Sequence, residues 1–259
     1  MNETDIIKGR LKDLANSAYR QNRYTYTNFL NAADMEIFYN NIEQLSFAGY
    51  KIYGGRDMCD RVMIAFGNED LLGYTEDFPI ATIKISALLD KYADDLNHRD
   101  FLGALMNLGI SRDMIGDILV SSSNGSGKHT EAYVFCCVTV ADYIVENLTK
   151  IKHTNVKCAL CSAQDTQKIQ IQKENIHIIA ASPRIDAVIS ALLGMSRSNT
   201  AALFTGRKVT LNQRLYENSS YQLKPGDIFS VKGYGKYEFI GKGTETRKGR
   251  LNIDLMKYT

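Results

Sequence analysis

Apolar residues at Ile6, Ile7, Leu11, Leu14, Ala15 and Ala18 recur three and four apart in an otherwise charged stretch, which puts them on one face of a helix. Phe29, Leu30, Met35, Phe38 and Ile42 continue the same period, so residues 1 to about 48 read as helical. Gly54-Gly55 marks a turn. Beyond it, residues 62–66 (VMIAF) and 80–85 (IATIKI) are short strand candidates bounded by Gly, Asn and Asp. Helical spacing returns over residues 100–108, with Phe101, Leu102, Leu105 and Met106 on one face and Gly109 placed to end it. Strands are expected at 118–121 and 133–139, then a helix from about 140 to 148 and a strand near 156–161. This mixed order predicts an α+β middle domain.

The polar segment 162–173 (SAQDTQKIQIQK) is the linker candidate. Residues 176–180 then read as a strand leading into Ser182-Pro183, expected to open a helix with an N-cap serine and proline in the first helical position. Ile185, Val188, Ile189, Leu192 and Leu193 form one apolar stripe ending at Gly194, and a second short helix runs from Ser196 to Gly206. Strand patterns follow at Val209/Leu211, 228–231, 237–240 and Leu251/Ile253/Leu255. The expected organisation is multidomain α+β: a small helical or mixed unit over 1–75, an α+β domain over 76–165, and two helices on a small antiparallel sheet over 182–259. No internal repeat is visible.

Composition narrows the class. With 259 residues, 44% hydrophobic and 23% charged, the chain is ordinary globular protein, which excludes disorder, collagen and a disulfide scaffold. A formal net charge of +2 argues against a polyanion partner only until it is divided. Residues 182–259 hold 13 Lys+Arg against 6 Asp+Glu, a net of +7, and the remainder holds 18 against 23, a net of −5. Such asymmetry points to one polyanion-binding end. The N-terminus has no apolar core followed by a small-residue cleavage site, and the most apolar stretch, 132–141 (AYVFCCVTVA), is far short of the ~20 residues a bilayer span requires. A cytoplasmic, soluble monomer with no membrane partner is expected.

The cysteines number five. Cys158 and Cys161 have a spacing that suits zinc or a redox pair, but zinc needs two more ligands, and the neighbours Cys136 and Cys137 point to opposite faces of a strand. A redox reading wants the motif at a strand-to-helix turn, which the pattern does not provide. Buried, reduced cysteines, no metal and no cofactor are the expectation. Residues 124–130 (NGSGKHT) imitate a phosphate loop, yet Ser122 stands where its first glycine belongs and His129 where Ser or Thr follows the lysine, so a plain loop is expected.

The clearest chemistry is at the basic end. Arg184 and Arg197 stand at the starts of the two C-terminal helices, where free N–H groups and the helix dipole already favour anions, and Arg207-Lys208 ends the second. Clustered cations with few acids suit a phosphate backbone bound by counterion release. These residues also carry a resemblance. Residues 183–186 (PRID), 195–198 (MSRS), Phe204 with 206–209 (GRKV) to Asn212, 223–227 (LKPGD) and 231–233 (VKG) look like an S4 domain, an RNA-binding module. The resemblance implies that structured RNA is bound by the face made of the two helices and the turn 206–212, through Arg184, Ser196, Ser198, Arg197, Arg207, Lys208, Asn212 and Lys232. Asp186 in that pattern orients an arginine.

A second string lies in the middle domain: residues 96–110 (LNHRDFLGALMNLGI), then Arg112-Asp113 and 115–118 (IGDI). By themselves, His98, Arg99 and Asp100 could suggest an acid–base group, but sequence neighbours do not face one another on a helix, and capping with loop contacts is the simpler reading. Together with the S4-like end, the string resembles YlmH-type proteins, whose pattern is a helical N-terminal unit, a middle domain similar to an RNA-recognition motif and a C-terminal S4 domain. Asn31-Ala32 departs from that pattern, as does the length of the polar loop 121–129. The middle domain lacks the basic and aromatic sheet signature that stacks bases, so His98, Arg99 and Arg112 enter only as a second RNA contact.

The resemblance implies a non-catalytic factor that binds ribosomal RNA and transfer RNA on the large ribosomal subunit, in ribosome rescue or translation quality control. Two other classes stand beside it: an RNA-modifying enzyme of the pseudouridine synthase or methyltransferase kind, and a cell-division scaffold. No Gly-rich strand-to-helix loop suited to a methyl donor, and no Asp in a synthase setting, supports the enzyme.

Overall fold

The computed structural model describes residues 2–122, 129–162, 165, 173–246 and 249–258. The loop expected at 124–130 and the linker expected at 162–173 lie mostly outside the described residues. The chain divides into two compact units, Met1–Ile169 and Gln170–Thr259, so the expected N-terminal unit and middle domain belong to one compact body.

Unit 1 opens with α1 (Glu3–Gln21), β1 (Thr25–Tyr26), α2 (Ala32–Asn40), α3 (Ile42–Leu45), β2 (Tyr50–Tyr53), β3 (Met63–Phe66) and α4 (Glu69–Leu72). The departure at Asn31 has a local use: its side chain accepts from the Ala33 and Asp34 backbones while Asp34 accepts from Asn31, a complete capping box at the head of α2. β3 is central in a small antiparallel sheet ordered β1-β3-β2 and is buried on both faces. The two-residue β1 and the half-exposed β2 carry no periodicity long enough to be read from sequence.

The unit continues with β4 (Ile80–Ala87), α5 (His98–Asn107), β5 (Ile115–Ser122), β6 (His129–Cys137), α6 (Val138–Asn147), β7 (Lys150–Ile151) and β8 (Thr154–Leu160). Strand, helix, two strands, helix, strand, with the sheet ordered β5-β6-β4-β8-β7, is the split βαβ arrangement of ferredoxin-like domains. The expected strand over 133–139 ends earlier. Cys137 turns the chain out of the sheet and Val138 donates to Pro79, so the β-branched run 138–140 begins α6 instead.

β6 joins two cores. Ala132, Val134 and Cys136 pack with Ile83, Ile85, Phe101, Leu105 and Ile144 under α5 and α6, whereas Phe135 and Cys137 point the other way, into Phe29, Phe38, Met63 and Phe66. Period-two alternation thus serves both layers with one strand. Burial raises the Cys136 thiol to about 12 and the Cys137 thiol to about 11. All five cysteines are free; Cys59, Cys136 and Cys137 are buried, Cys158 and Cys161 half-buried.

Unit 2 contains β9 (Lys173–Ala180), α7 (Ile185–Leu193), α8 (Arg197–Thr205), β10 (Val209–Leu211), β11 (Arg214–Leu215), β12 (Ile228–Val231), β13 (Gly235–Glu245) and β14 (Leu251–Tyr258). Its antiparallel sheet is ordered β11-β10-β12-β13-β14-β9. Ile185, Val188, Ile189 and Phe204 pack on Phe229, Tyr237, Phe239, Ile253 and Leu255, while Leu192 and Leu193 close the edge. The start of α7 corrects the expected one. Ser182-Pro183 lies outside the helix because Leu223 donates to Pro183, Ile185 donates to Tyr221, and Arg184 bridges Gln222. That extended pairing delays the helix to Ile185 and makes Arg184 its N-cap, with no side-chain cap. Helix α8 follows the pattern, with Ser196 accepting from Asn199. Among the described residues no helix is long and apolar enough to cross a membrane.

Candidate RNA interface

In unit 2 the predicted basic residues fall into two groups. Arg184 makes a fork on Asp186, Nε to Oδ1 at 3.1 Å and Nη2 to Oδ2 at 2.7 Å, and also donates to Ser220 Oγ at 3.1 Å. The Asp186 hydrogen bond and charge raise the Arg184 pKa further, and Asp186 is itself fixed by accepting from Ala187 N. A guanidinium held this way keeps its charge and a fixed direction. The segment between β11 and β12 forms a strap over residues 217–221, and its first residue, Glu217, stands with Oε1 3.9 Å from Arg207 Nε. Glu217 and Ser220 are three residues apart, within about 11 Å along the chain, so one strap ties the start of α7 to the end of α8.

Arg207 sits at φ +53°, the left-handed region, immediately after Gly206 has ended α8. Lys208 follows, and its carbonyl accepts from the Lys232 backbone at 2.8 Å, which sets two exposed lysines side by side at one end of the sheet. Ser196, Arg197 and Ser198 form the second group at the other end of α8, roughly 14 Å away for a nine-residue helix. Ser196 and Ser198 hydroxyls are 3.0 Å apart, and Arg197 is exposed with no ion-pair partner among the described residues.

Asn212 is exposed, but its side chain is committed to hydrogen bonds within the fold. Its Nδ2 donates to Asp227 Oδ1 at 3.0 Å, its Oδ1 accepts from Ile228 N at 2.9 Å, and its own N–H donates to Ile228 O. Asp227 also accepts from Lys224 N across the turn 224–227, where Pro225-Gly226, with Gly226 at φ +90°, supplies the residues a type II turn requires. Glu217 and Ser220, the partners that orient Arg207 and Arg184, escaped the sequence reading because a polar loop gives no period to follow.

The second contact set is also divided. Asn97 caps α5 by accepting from Arg99 and Asp100, and Asp100 returns the bond to Asn97 N at 2.9 Å and receives Lys152 Nζ at 2.6 Å. His98 and Arg99 are exposed in the first turn. Desolvation of the imidazole, with the charges of Arg112 and Arg99, lowers the His98 pKa. Arg112 turns inward, donating to the Ile115 and Gly116 carbonyls beside Arg61, which bonds Ile115 O, Phe29 O and Arg112 O. Burial and the Arg61 charge push Arg112 down to about 10. On the sheet face away from the helices, Lys84 is paired with Glu131 at 2.9 Å and lies over the Tyr133 ring at 5.6 Å. Among the described residues no group of three or more His, Cys, Asp or Glu side chains is arranged to hold a metal ion.

Residues 74–165, which hold the whole split βαβ sheet, match the family described as "Putative RNA-binding domain in YlmH". The split βαβ domain of this chain is therefore similar to the RNA-binding domain of YlmH. Over 236 residues, 90% of this chain and 87% of its relative, the chain is 24% identical to the ribosome-associated protein quality control protein P2 of Bacillus subtilis (strain 168). A solved structure, the cell division protein ylmH from Streptococcus pneumoniae, aligns with a TM-score of 0.47 at 18% identity, covering 66% of this chain and 96% of that one.

Proposed function

We propose that this chain is a YlmH-type, ribosome-associated, RNA-binding factor that acts by binding rather than by catalysis. Its C-terminal unit serves as an S4-type module for structured ribosomal RNA, with transfer RNA as a second partner, on the large subunit. The observation that carries this reading is the Arg184–Asp186 fork at the head of α7. A guanidinium aimed and held beside a helix start is suited to phosphate, and Arg197, Arg207, Lys208 and Lys232 extend the same chemistry. Asn212 and Arg112 are left out because their donors are already used. The name of the Bacillus relative, a ribosome-associated protein quality control protein, supports a ribosome-associated quality-control role, and ribosome rescue or translation quality control in the cytoplasm is the form of it proposed here.

The test is co-sedimentation of the purified full chain with ribosomes. Arg184→Glu with Arg197→Glu is expected to abolish pelleting; Arg197→Glu alone, at an exposed position with no ion-pair partner among the described residues, is expected to weaken pelleting with a melting temperature near that of the parent, which separates lost RNA contact from stability lost with the Arg184–Asp186 fork. Unchanged pelleting would overturn the proposal. Modified nucleosides appearing in RNA incubated with the chain would show catalysis instead.

A further inference from the structure

We propose that the loop between β2 and β3, residues 54–59, is a nucleotide site for unpaired RNA, with Arg56 taking a phosphate and the Tyr53 ring stacking a base. The choice of RNA as ligand rests on the RNA-binding reading above; the site itself rests on separate observations in unit 1. Arg56 Nε and Nη1 are closed off from solvent and have no hydrogen-bond partner among the described residues. A guanidinium is a fork of donors, and buried donors left unpaired are costly enough that folded proteins rarely keep them without a partner from outside.

The loop that holds Arg56 is tightly built. Tyr53 Oη donates to Gly55 O at 2.7 Å, Cys59 Sγ donates to Gly54 O at 3.3 Å, and the Asp117 carboxylate accepts from both Asp60 N and Arg61 N. A Cβ on Gly54 would lie 2.4 Å from that of Cys59, and one on Gly55, at φ +101°, would lie 2.3 Å from the Phe135 ring. Both glycines are therefore required by the path the backbone takes past Arg56. Among the described residues Arg56 has no ion-pair partner: the Asp117 carboxylate accepts from the two backbone donors, and the exposed neighbour Asp57 forms no ion pair with Arg56.

The second component is aromatic. Tyr53 is 40% exposed, and its ring leans on Phe78 at 5.5 Å, which in turn meets Tyr26 at 5.7 Å. The hydroxyl bond to Gly55 and this ring contact fix the platform before any ligand arrives, which lowers the entropy lost on stacking. Arg56 stands three residues after Tyr53 in the same turn, where its charge acts on the Tyr53 phenol. An anion-seeking fork next to a rigid half-exposed ring selects a ligand with both a phosphate and a planar base. Arg56 is only half-buried as a residue, so rotation about its side-chain bonds carries the fork to a phosphate and gives the unpaired donors a partner.

Photo-crosslinking of the full chain to a short 4-thiouridine-containing oligouridine tests this, with peptide mapping, affinity and melting temperature as readouts. The parent chain and the Arg184→Glu/Arg197→Glu double variant are both expected to crosslink within residues 53–61. Arg56→Gln should lose that crosslink and bind the oligonucleotide about tenfold more weakly, with a melting temperature equal to or above the parent's because an unpaired buried charge has gone. Arg56→Lys keeps the charge without the fork and should recover only part of the affinity. A crosslink at 53–61 that survives Arg56→Gln overturns the inference. So does Arg56→Gln melting lower with its affinity unchanged, and so does inorganic phosphate competing as well as the oligonucleotide, which would mark a free-anion site. Absence of any RNA binding by the parent chain would overturn the RNA-binding reading itself, whereas RNA bound without a crosslink in this loop overturns only this site.

Discussion

At the scale of single residues, what decides a role is where the donors go. Arg184 and Asn212 look equally suited to RNA in the sequence, since both stand in the S4-like string and both carry planar N–H groups. The structure aims Arg184 outward from a carboxylate two residues away, while Asn212 closes a network with Asp227, which is only 9% exposed, and Ile228. The first arrangement was legible because residues 184 and 186 must lie close at a helix start. The second was not, because its partner is fifteen residues away and across a hairpin. Asn212→Ala is therefore expected to cost about 1 kcal/mol, removing the bonds from Asp227 Oδ1 and the Ile228 N–H to this side chain while Asp227 keeps its bond from Lys224 N, and to leave RNA affinity per folded molecule unchanged. Denaturant melts paired with ribosome pelleting check this; a stable variant that no longer pellets would return Asn212 to the interface.

Among elements, legibility followed length. Helices with four or more apolar positions in register, α1, α5 and α7, were visible, and so were the short apolar runs of β4 and β12 and the alternation of β14, which has a single buried face. The failures have a shared cause, since extended pairing at 183–185 and the Val138 bond to Pro79 are tertiary contacts that override local preference. Helix α5 shows how an element's cap becomes a pH response. Partial burial alone would raise the Asp100 pKa, but the Asn97 backbone bond and Lys152 hold it below its ordinary value. Asp113 is likewise lowered against its own burial, by Ser111, Asn28 and Arg10. A carboxylate depressed in the fold binds its proton later than it does in the unfolded chain, so the unfolded state gains protons first as pH falls. The stability these groups supply is complete above about pH 4, the ordinary carboxylate value, and is lost as pH falls through their lowered values. Melting temperatures measured between pH 5 and pH 2 should fall, and Asp100→Asn should flatten that slope; an unaltered slope would show that the cap does not titrate as described.

Taken as a whole molecule, the near-neutral charge of +2 is an average over unlike parts, +7 across residues 182–259 and −5 across the rest. Neither local stability nor fold class depends on that division, but association with a polyanion does. Each phosphate neutralised by a lysine or arginine releases counterions, so the logarithm of affinity falls linearly with the logarithm of salt, by roughly 0.7 to 0.9 per contact. Arg197, Lys208 and Lys232 are separate charges on exposed positions, so their contributions to that slope should be individually removable, whereas Arg184 and Arg207 are also paired with Asp186 and Glu217. Replacing Arg197 or Lys208 by Ala should lower the slope by about one contact and weaken binding similarly for every RNA sequence. Arg112→Ala should leave the slope alone, because that guanidinium is committed to the Ile115 and Gly116 carbonyls, and it should register as lost stability instead. Titrating ribosome binding against potassium chloride for these three variants separates charge that reaches the RNA from charge that holds the protein together. A slope unchanged by Arg197→Ala and Lys208→Ala but reduced by Arg112→Ala would move the interface from unit 2 to the split βαβ sheet.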